Sequence, residues 1–144
     1  MSDELPTDYP VTISLPVQWG DQDAFGHVNN VRFLRWFESS RIAYIRSCGV
    51  ELSTAKTGPI LAAVTCNYRN QVRFPDTIVV GIRVTRLGHS SITLKHKLWS
   101  ERLNLVAADG ESTVVMFDYQ SQQPAPIPDE IRVAIEALEG TSFD

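Results

Sequence analysis

From Val11 to Trp19 the chain alternates, with Val11, Ile13, Leu15, Val17 and Trp19 on one side and Thr12, Ser14 and Gln18 on the other. A period of two marks a half-buried strand. Pro16 interrupts it without a ladder N–H, which assigns the strand to a sheet edge or a bulge. The period turns helical from Asn30 to Cys48. Phe33, Phe37 and Tyr44 fall on one stripe, flanked by Leu34 and Ile45, and the small Ser40 on that stripe lets the helix approach a sheet closely. Asn29 or Asn30 can cap the N-terminus, and Gly49 suits the left-handed position after the last turn. About 18 residues make a helix of roughly 27 Å.

A loop from Ser53 to Pro59 follows, and then the period of two returns and stays. Ala62, Val64, Cys66 and Tyr68 form one set; Ile78, Val80, Ile82 and Val84 the next; Ile92, Leu94, His96 and Leu98 the third. His96 thus sits on an apolar face and reads as a core histidine. The last strand region, Leu103 to Gln120, contains Asp109-Gly110, a hairpin turn or a bulge. Pro124, Pro126 and Pro128 end the sheet, and Pro128 can start a helix from Asp129 to Leu138. One early helix with antiparallel strands after it predicts an α+β layer. The second sheet face mixes Ala63, Val79, Trp99, Val115, Phe117 and Tyr119 with polar residues. That mixture predicts partial burial by another subunit, hence at least a dimer.

With 144 residues, 43% hydrophobic and 21% charged, the chain fits one soluble domain that needs no disulfide or metal. We assign residues 1–9 to a flexible acidic segment and 10–144 to a single domain. A net charge of −4 and an isoelectric point near 5.3 argue against a nucleic-acid backbone as partner. Cys48 and Cys66 are too isolated for a disulfide framework or a zinc site and read as small buried hydrophobes. Met1 to Pro10 shows neither a basic nor an apolar leader region, and no apolar run reaches membrane-spanning length. The expected location is the cytoplasm.

Chemistry concentrates between Trp19 and Asn30. Two carboxylates, Asp21 and Asp23, precede His27, Asn29 and Asn30 on a loop that runs into the helix. Free N–H groups and the positive end of a helix dipole can stabilise an oxyanion, and a carboxylate just before them can act as nucleophile or base. The same residues also make ordinary caps and turns. Composition leaves both readings open.

The run Asp21-Gln22-Asp23-Ala24-Phe25-Gly26-His27-Val28-Asn29-Asn30-Val31-Arg32-Phe33, followed by Glu38 and Arg41, resembles the signature of the 4-hydroxybenzoyl-CoA thioesterase family. The similarity is greatest to acyl-CoA thioesterase members with an Asp-x-x-Gly-His-Val-Asn-Asn motif. Asn67-Tyr68-Arg69 through Arg73-Phe74-Pro75-Asp76, Gly88 to Ser91, and Pro126 to Pro128 resemble shorter family motifs, so the resemblance covers roughly residues 10–138. It implies a hotdog fold, a five- to six-stranded antiparallel sheet wrapped around one long central helix. It also implies a homodimer or a homotetramer built as a dimer of dimers, with acyl-CoA hydrolysed at the subunit interface and no metal or cofactor.

Matched residue by residue, the resemblance selects Asp23 over Asp21 as nucleophile or general base. The oxyanion donors become amides near Val28, Asn29 and Asn30. His27 orients Asp23, binds substrate or is structural; Asn29 is a cap or holds the catalytic water. Val28, Phe33, Arg69 and Arg73 fall on the substrate side; His89, Ser90 and Ser91 touch substrate across the dimer or form a turn; Arg69, Arg73, Arg83 and Arg86 are candidates for the CoA phosphates or make up a solvated strand face. Trp36 reads as a subunit contact, Glu38 and Arg41 as an i,i+3 helix pair, and Asp109-Gly110 as a bulge rather than a hairpin. Gln71 departs from the family, which often has proline there, and no basic residue follows Tyr119 where many members have one. The alternatives are a non-catalytic acyl-CoA or acyl-carrier-protein binding protein of the same fold, or an acyl-thioester dehydratase using His27.

Overall fold

All strands join one antiparallel sheet in the computed structural model, which describes residues 5–49 and 56–143. The strands are β1 Val11–Pro16, β2 Thr57–Tyr68, β3 Thr77–Leu87, β4 Ser91–Ser100, β5 Leu105–Asp118 and β6 Gln123–Pro124. Their order is β1-β3-β4-β5-β2, with the short β6 pairing with β5. Helix α1, Asn30–Ser47, lies along one face; α2, Asp129–Glu139, covers the far part of that face. This is the hotdog arrangement expected from the sequence, with six strands.

The helix ends are built as their residues require. The Asn29 side chain accepts the Val31 N–H at 2.9 Å, so Asn29 rather than Asn30 is the cap, and Gly49 takes φ +81° after the last turn. Phe33, Phe37, Ser40 and Tyr44 are all buried, as the stripe predicted. Trp36 is buried too, edge-on to Phe33 with ring centroids 5.4 Å apart, so within one chain it is core and not an exposed contact. Glu38 accepts from Arg35 at 2.8 Å instead of pairing with Arg41. Arg41 turns inward, and desolvation pulls its pKa below the ordinary value against the opposing charge of Glu38.

Burying that cation requires partners, and a chain of hydrogen bonds between helix and sheet supplies them. Arg41 Nη1 donates to Ser112 Oγ at 2.8 Å, and Ser112 lies 2.6 Å from His96 Nε2. On the other side of the ring, Nδ1 lies 3.0 Å from Ser40 Oγ, which itself donates to the Phe37 carbonyl at 2.7 Å. The donor order follows. Ser40 spends its proton on Phe37 and accepts from Nδ1–H, so Nε2 is the acceptor of the Ser112 hydroxyl. His96 is fully buried and stacked on Phe37 at 4.4 Å, a core histidine as expected.

The strands depart from the sequence reading in three places. β1 stops at Pro16, where the missing N–H ends the ladder, and the chain leaves the sheet through Val17, whose N–H donates to the Asp76 carbonyl at 2.8 Å. Trp19 therefore lies in a short 3₁₀ turn, 73% exposed, and not in the strand. β2 begins at Thr57, inside the segment read as loop; the part of that loop before Lys56 is outside the described residues. Asp109-Gly110 is neither hairpin nor bulge. Gly110 pairs in register with His96 and Cys66 inside one continuous strand, and the irregularities fall beside Ala107 and Ala62. Glycine is needed at 110 because a Cβ would come 2.0 Å from the Thr65 carbonyl oxygen and 3.1 Å from the Phe37 ring.

On the outer face, the described part of the N-terminal segment is packed. Pro6 is fully buried, and with Tyr9 it sits over Gly81, leaving no room for a Cβ there. Trp99 is buried within the single chain, although the sequence assigned its face to a partner. The longer of the two edge strands is β2, twelve residues, whose Ile60, Leu61 and Tyr68 are 39%, 43% and 46% exposed.

Burial and the nearby Arg41 charge hold the His96 pKa down at about 3, against 6.5 for an ordinary histidine. The folded protein then binds fewer protons than the unfolded chain below pH 6.5, so stability falls as pH drops from about 6.5 toward 3. His96→Gln is expected to lose roughly 1–3 kcal/mol at neutral pH. Its deficit relative to wild type should narrow across that window, read from urea unfolding at several pH values.

Candidate active site

The loop between β1 and α1 folds back on itself before the helix begins. Gln22 and Val28 form an isolated antiparallel bridge, and the Asp23 N–H donates to the His27 carbonyl at 2.8 Å. Asp23 to Gly26 makes the turn between them: the Gly26 N–H reaches the Asp23 carbonyl at 3.1 Å, and Gly26 sits at φ +81°, where glycine carries no steric penalty. Asp23 Oδ1 accepts the Phe25 N–H at 2.9 Å, which fixes the carboxylate while the side chain stays exposed.

The two aspartates have different duties. Asp21 is buried; its carboxylate accepts the Gln18 N–H at 2.8 Å and pairs with Arg32 at 3.2 Å, and its carbonyl accepts the Asn29 N–H at 2.9 Å. The contacts of Asp21 brace the loop on itself through Gln18 and tie it to the helix start through Asn29 and Arg32. Asp23 instead lines a groove of about 310 Å³ together with His27, Val28, Asn30, Phe33, Tyr68, Arg69, Asn70 and Gln71. The geometry separates them on burial and partners alone.

Three amides precede or open α1, and the structure occupies two. The Val28 N–H goes to the Val72 carbonyl at 2.8 Å and that of Asn29 to Asp21, while the Asn30 N–H has no acceptor among the described residues. Asn30 is the first residue of the helix and lines the groove with Asp23. An amide at that position carries the positive end of the helix dipole. Sequence reading spread the oxyanion donors over Val28, Asn29 and Asn30; backbone pairing leaves Asn30. The Asn29 side chain is spent on its cap.

His27 is half-buried, with Nε2 3.0 Å from Arg73 Nη2. Since a guanidinium only donates, that nitrogen is an acceptor. Arg69 reaches the groove but is forked onto Asp109 at 2.6 and 3.1 Å, and Asn67 joins the same carboxylate at 3.0 Å. Burial works to raise the Asp109 pKa, yet these hydrogen bonds, with the charges of Arg69 and Lys95, hold it below the usual carboxylate range. His89, Ser90 and Ser91 lie at the β3–β4 turn, the opposite end of those strands from the β2–β3 connection that carries Val72 and Arg73. Their backbones there bind Ile127, Met116 and Gly88. Within one chain they do not meet Asp23.

Tyr68 completes the groove and was not read as a site residue from sequence. Its ring stands edge-on to Phe33 at 5.2 Å, and its hydroxyl donates to the Asn30 carbonyl at 3.1 Å, so the end of β2 braces the first helical turn. Its place on the helix-facing set of β2 was the available signal. Partial burial disfavours the thiolate of both cysteines. Desolvation, with the charge of Glu139, pushes the Cys48 thiol up to about 11, and desolvation raises Cys66 as well. Among the described residues no three metal-ligating side chains cluster.

Comparison with known proteins assigns the family. The sequence profile of the thioesterase-like superfamily matches residues 17–135, and the chain belongs to that superfamily. It is 25% identical to the long-chain acyl-CoA thioesterase FadM of Escherichia coli over 81% of this chain and 89% of FadM. A thioesterase from Thermus thermophilus, solved with coenzyme A and zinc, superposes with a TM-score of 0.85 at 31% identity, covering 95% of this chain and 99% of that one. Similarity to the uncharacterised protein YsmA of Bacillus subtilis, 28% identical, spans 65% of this chain and 63% of YsmA.

The separation of duties is measurable. Asp21→Ala should cost roughly 1–3 kcal/mol, because a part-buried N–H and a cation lose their acceptor. Asp23→Asn should change stability by no more than about 0.5 kcal/mol, as expected of an exposed side chain. Thermal or urea unfolding of the two variants checks both.

Proposed function

We propose that this protein hydrolyses acyl-CoA thioesters, with Asp23 and the Asn30 amide as its chemical centre. The observation that carries the assignment is their meeting in one groove: an exposed, oriented carboxylate beside an unused N–H at a helix start. A thioester carbonyl is electrophilic and its thiolate a fair leaving group, so little more is required. Oxygen attacks the carbonyl carbon, negative charge gathers on the carbonyl oxygen facing the Asn30 N–H, and the C–S bond breaks. A carboxylic acid and the CoA thiol leave. Asp23 serves this reaction in either of two ways, by removing a proton from the attacking water or by attacking first to form a mixed anhydride that water then opens. His27, fixed by Arg73, borders the carboxylate.

The working unit in this reading is a homodimer joined along β2, or a tetramer built from such dimers. The support is the length and exposure of that edge strand, whose backbone has no neighbour on its outer side among the described residues. Tyr68 at its end belongs to the groove, so pairing along this edge would set a second chain beside the site. A partner chain is also the only route by which His89, Ser90 and Ser91 would reach substrate.

The test is thiol release from short, medium, long and aromatic acyl-CoAs. Asp23→Asn should lower kcat by roughly 10²–10⁴; absence of release from every substrate by wild type would sink the reading. Asn30→Pro is a sharper probe of the amide. Proline is favoured at the first helical position, and Asn29 already has φ −64° and ψ 141°, a conformation that proline accepts in its predecessor. The variant should keep its thermal midpoint and lose roughly 10²–10³ in kcat, with Asn30→Ala close to wild type. Label in the Asp23 carboxylate after a single turnover in ¹⁸O-water establishes the anhydride route opened at Cγ, since general-base hydrolysis leaves the protein carboxylate unlabelled.

A further inference from the structure

The second half of α1 borders two spaces that the chemistry at Asp23 does not use. A cleft of about 300 Å³ opens between Glu38, Ile42, Gly58 and Leu61, with Tyr119 at its side. Arg41, Ile45, Pro59 and Val114 line this cleft and also an inner chamber of about 30 Å³, so the two spaces adjoin. The chamber ends on Cys48, Met116, Ile131 and Ile135, the last two from α2. Its lining is apolar, because the polar ends of Arg41 and Tyr44 are turned onto Ser112 and Glu139.

Helix α2 is pinned against that chamber at both ends. Arg132 Nη2 donates to the Gly88 carbonyl at 2.8 Å, in the β3–β4 turn. Toward the other end Glu139 Oε2 accepts the Tyr44 hydroxyl at 2.5 Å and the Val84 N–H at 2.8 Å, which ties the helix to α1 and to β3 at once. Ile135 lies between these anchors and is 1% exposed, and Ile131 beside it is half-buried. A wall held in this way gives the passage a fixed depth. The chamber has room for the end of a hydrocarbon chain and no polar group to hold a water there.

Within one chain the passage lies away from the groove at Asp23: Ile42 is twelve residues from Asn30 along α1, roughly 18 Å. A second copy changes this. A twofold axis between two β2 strands runs them antiparallel, so Tyr68 at the end of one strand approaches Gly58 to Leu61 at the start of the other. The groove of one chain then meets the cleft of the second copy, and an apolar passage leads away from the reacting carbonyl. We infer that α2 limits the length of the acyl chain, with Ile131 and Ile135 stopping the tail of a substrate whose thioester lies at Asp23 of the other subunit. The inference rests on the hydrolase and dimer readings above and extends them to the choice of substrate. Sequence gave α2 no part in the site, because only the fold sets it behind Met116 and Cys48.

The experiment measures kcat/KM over a series of straight-chain acyl-CoAs, which for wild type should fall beyond one limiting length. Ile135→Ala deepens the chamber and should move the limit to longer chains, whereas Ile131→Phe fills it and should move the limit to shorter ones. At the wild-type limit Ile131→Phe should lose roughly tenfold or more, with the shortest substrate little changed. Circular dichroism and the thermal midpoint establish that each variant is folded, and Ile135→Val is the milder cut if Ile135→Ala is not. A limit that stays in place in a folded variant overturns the inference. In mixed dimers of wild type with an Asp23→Asn, Ile131→Phe double variant, only the wild-type Asp23 turns over. Those dimers should show the short limit, and the wild-type limit overturns the crossing between subunits. Alkyl-CoA thioethers, which are not hydrolysed, give a readout apart from turnover. Their affinity should rise up to the same limit in wild type and to a shorter one in Ile131→Phe; affinity independent of alkyl length overturns the inference. If wild type hydrolyses no acyl-CoA, the hydrolase reading fails, while the thioethers still decide the chamber.

Discussion

Everything in this molecule hangs on how closely α1 can lie against the sheet. The contact is made by Phe37 over Gly110 and by the hydrogen-bonded series Arg41, Ser112, His96, Ser40 and the Phe37 carbonyl. A buried cation and a buried imidazole would be costly alone. Here each donor meets an acceptor, and no buried side-chain polar atom among the described residues lacks a partner. Because the series has one consistent order of donors, it sets the helix in one rotation and one height above β4 and β5. That placement delivers Asn30 to the end of β2, where Tyr68 takes its carbonyl.

The site is an economical use of what a helix start leaves over. Of the amides at that end, most are consumed by the fold: Val28 by the β2–β3 connection, Asn29 by Asp21, Val31 by the Asn29 cap. Two acids separated by a single residue then diverge in their partners. Asp21 faces the protein and carries the loop, whereas Asp23 opens the tight turn that ends at Gly26 and faces the groove. The proposed chemistry uses the one amide there, that of Asn30, which has no acceptor among the described residues.

The same logic runs through the surroundings of the groove. Arg69 and Arg73 stand four residues apart, yet the first is bound to Asp109 and the second is paired with no carboxylate among the described residues. Asp76 lies three residues beyond the second and forms no ion pair with it, its oxygens being taken by three other donors. Charge in this region is allocated by geometry, and proximity along the chain is a poor guide to it. Trp36 and Arg41 make the same point in the helix: both are core, one through its ring and one through its hydrogen bonds.

Local pattern was enough for the elements. A period of two marked the long strands and a 3.6 stripe marked α1, since alternation and helical spacing are properties of neighbouring residues. The cap, the terminal glycine, the core placement of His96 and the loop bearing Asp23 were legible on the same ground, and the family motif named Asp23 as the carboxylate. Tertiary structure decided what depends on meetings between distant segments. It ended β1 at Pro16, ran β5 straight through Asp109-Gly110, turned Arg41 away from Glu38, spent the Val28 and Asn29 amides, and brought Arg102 beside Arg73. Periodicity says which way a side chain faces. Which donor finds which acceptor is set by residues tens of positions away, and only the folded chain resolves that competition.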